Sequence, residues 1–174
     1  MARRATPSRR ALVPPLELEI RATTASHLVP PLRSLLTRAH RLAASRVRRL
    51  SVALVGRRLI RTLNKRFLGH DRVTDVICFP LDLDHNGRAI AGEIVLCVPL
   101  AFARARRLGL PVLSELLLYA VHGLLHLDGW QDNTNEQFAA MHSREDKILS
   151  QMGLGAVFSA PASAGSSSSS HSRG

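Results

Sequence analysis

The alternation of apolar and polar residues divides the chain into stretches of period two and stretches of helical period. Leu16-Glu17-Leu18-Glu19-Ile20 alternates strictly and predicts a half-buried strand. Pro30 and Pro31 then open a segment reaching about Ala44, in which Leu32, Leu35, Leu36, Ala39 and Leu42 or Ala43 share one helical face. Ser51 to Val55 reads as a second strand. After Gly56, Leu59, Ile60, Leu63 and Phe67 recur at helical spacing among Arg57, Arg58, Arg61, Lys65 and Arg66, which predicts a helix with an apolar stripe and a basic outer surface.

Two further β-rich runs, Val73 to Phe79 and Glu93 to Val98, flank a polar stretch from Asp82 to Gly87 that suits a hairpin-like connection. Pro99 to Leu108 reads as a helix ended by Gly109 and Pro111. Ser114 is placed to N-cap the next helix, which runs to about Leu127, with Gly129 just beyond its end. Thr134-Asn135-Glu136-Gln137 has the form of a capping box and opens a last helix that ends near Met152 and Gly153. The order β α β α β β α α α predicts an α+β fold, a small mixed β-sheet packed with about five helices. A single domain over residues 15–155 follows from this pattern, between a basic, proline-punctuated arm at 1–14 expected to be flexible and a Ser-rich tail at 156–174 expected to be disordered.

Charge changes the picture. Of the 174 residues, 24 are Lys or Arg and 13 are Asp or Glu, and the excess is concentrated: residues 1–72 carry a net charge of +14 and residues 73–174 one of −3. Clustered arginine favours a polyanionic partner, because binding phosphates releases their counterions. With five Phe, Tyr119 and Trp130 as the whole aromatic complement, a broad base-stacking platform is excluded and phosphate contact is the expected mode. No apolar run has the length of a membrane span, so no membrane partner is expected. Cys78 and Cys97 lie in apolar strand-like runs without C-x-x-C spacing and read as small buried thiols, compatible with a reducing cytoplasm.

The chemistry is concentrated in His122-Gly123-Leu124-Leu125-His126-Leu127-Asp128-Gly129-Trp130-Gln131-Asp132. Two histidines four apart project from one helical face, a spacing suited to a single metal ion. Gly129 lets the chain turn back so that Asp132 can join them. Two His and one carboxylate with a fourth position open are the donor set of a catalytic zinc site on a zincin-like metal helix. In the peptidase motif H-E-x-x-H the residue after the first His is the general base; here it is Gly123, which disfavours a metallopeptidase and suits helix packing or room near the metal. Asp75, Glu93 and Asp128 are candidate water-positioning groups, with turn-forming or strand-end roles as their simpler assignment. His70 and His142 are left out of the ligand set, and Trp130 is expected to pack as a lid on the site.

Over roughly residues 50 to 153 the chain resembles the YbeY family of ribosomal RNA maturation factors. The resemblance rests on Leu63-Asn64, Gly69-His70-Asp71, Thr74-Asp75-Val76, Cys78-Phe79-Pro80, Gly92-Glu93-Ile94, the His122 to Asp132 run and the segment from Glu145 to Leu149. It implies a single-strand-specific, metal-dependent endoribonuclease, a hydrolase holding one zinc ion through His122, His126 and Asp132. The implied partners are ribosomal RNA and the ribosomal subunit, and the implied role is rRNA maturation and ribosome quality control in the cytoplasm. Two positions depart from the family pattern. Asp132 stands where a third His is common, which keeps a ligand but widens the metal choice toward manganese or iron. Leu68 stands where many members have an Arg regarded as important for activity, leaving Lys65, Arg66 and Arg72 as the nearest candidate catalytic cations. Those departures keep a second reading in view, a non-catalytic ribosome-assembly factor with a structural metal.

Overall fold

A computed structural model describes residues 15–154; the basic arm and the Ser-rich tail expected from the sequence fall outside the described residues. Four strands form one sheet, β1 (Glu17–Ala22), β2 (Arg49–Val55), β3 (Val76–Leu83) and β4 (Ala89–Cys97). Five helices accompany it: α1 (Val29–Ala43), α2 (Arg57–Leu68), α3 (Val98–Leu108), α4 (Val112–Leu127) and α5 (Asn135–Gln151), with a short 3₁₀ turn at Ser26–Leu28. The spatial order is β1-β2-β4-β3, parallel except for β3, which runs antiparallel to β4. This is the α+β fold with a small mixed sheet that the pattern predicts.

Alternation along the strands divides two cores. Leu50, Val52 and Leu54 of β2 and Ile94 and Leu96 of β4 pack with α1, α4 and α5, whereas Val55, Ile77, Val95 and Cys97 pack with Ile60 of α2 on the other face. Metal helix and basic helix therefore lie on opposite faces of one sheet. Close approach of α4 to the sheet needs glycine at two places. A Cβ on Gly92 would stand 2.5 Å from a methyl of Leu127, and one on Gly123 would stand 3.1 Å from Ile94. Position 123 thus points into the core rather than toward the histidines, as its packing role requires.

Boundaries differ from the sequence reading where tertiary context decides. Strand β3 begins three residues later than expected and continues through Pro80 to Leu83, because an edge strand has no outer partner to need that proline's missing N–H. Ser114 does not cap α4. Pro111 holds the N-cap position in extended backbone, the helix starts at Val112, and Ser114 is buried inside the first turn with its N–H donated to the Pro111 carbonyl. The capping box of α5 is present as predicted, with Thr134 and Gln137 exchanging hydrogen bonds of 3.2 Å.

Candidate metal centre

Helix α4 is apolar nearly all round, and Leu116 to Val121, Leu124 and Leu125 are buried. His122 and His126 interrupt this pattern one turn apart, and both remain half-buried. Their Nε2 atoms are 3.0 Å apart. After the helix, Gly129 at φ 95° reverses the chain, with its N–H donated to the His126 carbonyl and that of Trp130 to Leu125. The turn brings Oδ2 of Asp132 to 3.8 Å from His122 Nε2 and 3.7 Å from His126 Nε2.

Both imidazoles are held from behind. His122 donates its Nδ1–H to Oε1 of Glu145 at 2.7 Å, and His126 donates Nδ1–H to the Trp130 carbonyl at 3.0 Å. These bonds place both Nε2 lone pairs on the side facing Asp132. Two lone pairs at 3.0 Å beside a carboxylate repel unless a proton or a cation lies among them. The three edges, 3.0, 3.7 and 3.8 Å, compare with about 3.3 Å for ligands held ~2.0–2.1 Å from a tetrahedral zinc. The donor set therefore fits a borderline divalent ion such as zinc, which His122, His126 and Asp132 could hold.

Glu145, named in the sequence only as the start of a segment resembling the family, joins the cluster through packing of α5 on α4. It is fully buried on α5, and its second oxygen accepts Nδ1–H of His142 at 2.6 Å. His142 stacks beside His122, ring centroids 6.4 Å apart, so one carboxylate bridges a ligand histidine and a histidine on the last helix. The available signal was an acidic residue in register with Met141, Ile148 and Leu149, the buried stripe of α5. Burial alone would lower the pKa of His122, but the Glu145 carboxylate, followed by Asp132 and Asp75, outweighs it and the pKa is raised.

The other candidates are dispersed. Asp75 accepts hydrogen bonds from Thr74 Oγ1 and the Val76 N–H at the entry to β3, and its charge is felt at His122. Glu93 lies on the sheet face away from α4, between Ser51 and Phe79 in the register. Asp128 accepts from Ser45 Oγ at 2.9 Å and the Arg46 N–H at 3.1 Å, tying the end of α4 to the connection after α1. His70 shapes the turn after α2 through its backbone. Lys65 pairs with Asp71 at 3.0 Å, and Lys65 and Arg66 line a groove on α2 that contains none of the three metal ligands. Arg72 is exposed, with its carbonyl bound by Asn64. Trp130 gives its carbonyl to His126, and the residue, 37% exposed, borders two shallow surface grooves that include none of His122, His126 and Asp132. Of the two thiols expected to be buried, Cys97 is and Cys78 is only half-buried; burial, with the Asp132 carboxylate, raises the pKa of Cys78.

Fold and site together define an α+β domain with a three-ligand candidate metal centre at the end of a buried helix. The chain belongs to the family described as Endoribonuclease YbeY, whose model matches residues 18–153. It is 42% identical over 94 residues to a relative of that name from Chlorobaculum tepidum, covering 54% of this chain and 66% of the relative. A relative of the same name from Geobacillus thermodenitrificans is 32% identical over 114 residues, 60% of this chain and 73% of the relative. The chain thus matches about two thirds to three quarters of these relatives' lengths. The solution structure of TM1509 from Thermotoga maritima is similar with a TM-score of 0.52 at 26% identity, covering 83% of this chain and 98% of that one.

Proposed function

We propose that the protein is a metal-dependent endoribonuclease that cleaves single-stranded ribosomal RNA in the cytoplasm, in rRNA maturation and ribosome quality control, with one zinc ion held by His122, His126 and Asp132. The observation that carries this reading is the convergence of two Nε2 atoms and one carboxylate oxygen within 3.0–3.8 Å at a half-buried surface. An ion held there by His122, His126 and Asp132 would supply Lewis acidity toward water and a phosphoryl oxygen. The chain's own residues supply the rest. Glu145 and the Trp130 carbonyl fix the tautomers and the facing of the histidines, and Asp132 lowers the net charge of the site by one relative to a third His. Arginine and lysine side chains hold neighbouring phosphates. Family membership supports RNA as substrate, and position 123, turned into the core beside Ile94, leaves no place for the general base of a peptidase.

The test is cleavage of defined single-stranded rRNA fragments by metal-quantified wild type and His126→Ala. Wild type is expected to cut in proportion to bound metal and the variant to lose both. Equal cleavage by the variant, or by rigorously metal-free protein, contradicts the proposal. Full metal loading of wild type without cleavage favours the assembly-factor reading, which the absence of a cation at Leu68 keeps open.

A further inference from the structure

The second feature on the molecule lies across the sheet from the metal centre. Helix α2 buries Ile60 and Asn64 and turns Arg57, Arg58, Arg61, Thr62, Lys65 and Arg66 to a surface groove of about 790 Å3. Asp71 is the only acidic residue in its lining, and it pairs with Arg61 at 2.7 Å and Lys65 at 3.0 Å, which fixes two cationic heads in place. Arg57, Arg58 and Arg66 form no ion pair with a carboxylate among the described residues. Such a face carries a large unneutralised positive potential.

At the end of the same helix, Phe67 is 55% exposed. Its ring rests edge-on against Phe79 of β3, centroids 5.3 Å apart, and the Arg66 guanidinium stands 5.3 Å from its centroid. The aromatic plane is thus oriented by its neighbours while much of it stays open to solvent. Phe67 lies outside the groove's lining, beside it across Arg66; a cationic face with an exposed aromatic ring at its flank is a combination by which proteins hold single strands, phosphates along the cations and a base against the ring.

We propose that α2 is a binding track for single-stranded RNA, with Arg57, Arg58 and Arg66 on successive phosphates, Arg61 and Lys65 reinforcing them, and one base stacked on Phe67. From Arg57 to Arg66 the helix advances about 14 Å, so its cations are spread along more than one phosphate of a strand. The strand leaves this track at Phe67 and Phe79, on edge strand β3. Cys78, the next residue toward the other face, packs against the core that carries α4. A strand held on α2 therefore reaches the metal side by crossing one exposed sheet edge. This inference rests on RNA being the substrate and adds where, and in what form, it is held.

The experiment is fluorescence anisotropy of a labelled 16-nucleotide single-stranded RNA with zinc-loaded wild type, Arg57→Ala/Arg58→Ala and Phe67→Ala, each titrated at several salt concentrations. Losing two phosphate contacts should weaken binding roughly tenfold at moderate salt and reduce the slope of log affinity against log salt by about 1.4. Phe67→Ala should weaken binding by roughly 5- to 150-fold while leaving that slope nearly unchanged. Zinc content and melting temperature of the variants should match wild type, since neither site lies in a core. Unchanged affinity and slope in the double variant overturns the proposal, as does an equal preference for duplex RNA or tighter α2-dependent binding to phosphatidylserine vesicles. Failure of the function itself shows differently, as zinc-loaded wild type that binds RNA on α2 and does not cut it.

Discussion

At the residue scale, the centre depends on what stands behind the ligands as much as on the ligands. Glu145 accepts a proton-bearing nitrogen on each side, from His122 at 2.7 Å and His142 at 2.6 Å. Glu145→Gln keeps the shape and removes the charge. It should lower zinc affinity by roughly 10- to 100-fold in chelator competition, with the melting temperature of the metal-free protein changed little; unaltered affinity would show that the bond does not orient the ligand. Trp130 makes the opposite case, because its carbonyl does the work. Trp130→Ala should leave zinc affinity within about threefold of wild type, and a much larger loss would return the side chain to the site. His40 offers a test by pH. It is buried on α1 with Nε2–H donated to the Val47 carbonyl at 2.7 Å, and burial lowers its pKa below the ordinary value, an effect that this bond and the Asp128 charge only partly offset and the neighbouring Arg41 reinforces. The unfolded chain then takes up the proton first as pH falls. The stabilisation is full above pH ~6.5 and is lost below it. Denaturant titrations at pH 7.5 and 5.5 should show a smaller drop for His40→Gln than for wild type in metal-free protein, and equal drops would sink this assignment.

At the element scale, α4 joins the sheet, α3 and α5 while carrying two ligands. Its first turn holds a fully buried Glu115 whose Oε2 is 3.1 Å from Arg104 Nε on α3. Burial raises the pKa of Glu115, and Arg104 and Arg107 oppose the shift. Removing the cation leaves a buried acid without its counter-charge. Arg104→Met should therefore destabilise by about 3 kcal/mol, and Glu115→Gln by less, since a partly exposed Arg104 can turn to solvent; the reverse order in urea denaturation contradicts this account. Gly123 belongs to the same interface. Gly123→Glu would press a carboxyl group against Ile94 and should prevent stable folding rather than create a peptidase.

Much of this element structure was legible because helical and alternating periods follow directly from burial on one face. The His122, His126 and Asp132 spacing was legible for the same reason: Gly129 marks the reversal that makes a six-residue separation short in space. The exceptions are informative. Pro80 interrupts the apolar run of β3, and only the strand's position at the sheet edge explains why pairing continues past it. Ser114 has the chemistry of a cap, yet Pro111 sets the helix start and the hydroxyl goes inside. Glu145 is 23 residues from His122, and no local pattern announces a contact formed by packing α5 on α4.

At the scale of the whole molecule, the sheet separates two properties that composition records only as a charge imbalance. One face carries α4 and the ligand cluster, and the other carries α2 with its five cations. The last residue of α2, where the resemblance implies an Arg in many members, is Leu68, half exposed and uncharged. The positive charge is therefore concentrated along α2 rather than at that one point, and on the proposed reading it is α2 that meets the RNA. Binding strength and cleavage should respond to different variants, which a single mixed site would not allow.

Whether His122, His126 and Asp132 hold one ion is read by titrating chelator-stripped protein with zinc and measuring bound metal after equilibrium dialysis. One zinc per chain in wild type, with tight binding lost in His126→Ala and strongly weakened in Asp132→Ala, is the predicted result. Undiminished one-to-one binding by His126→Ala, or no tight binding by wild type, would contradict it.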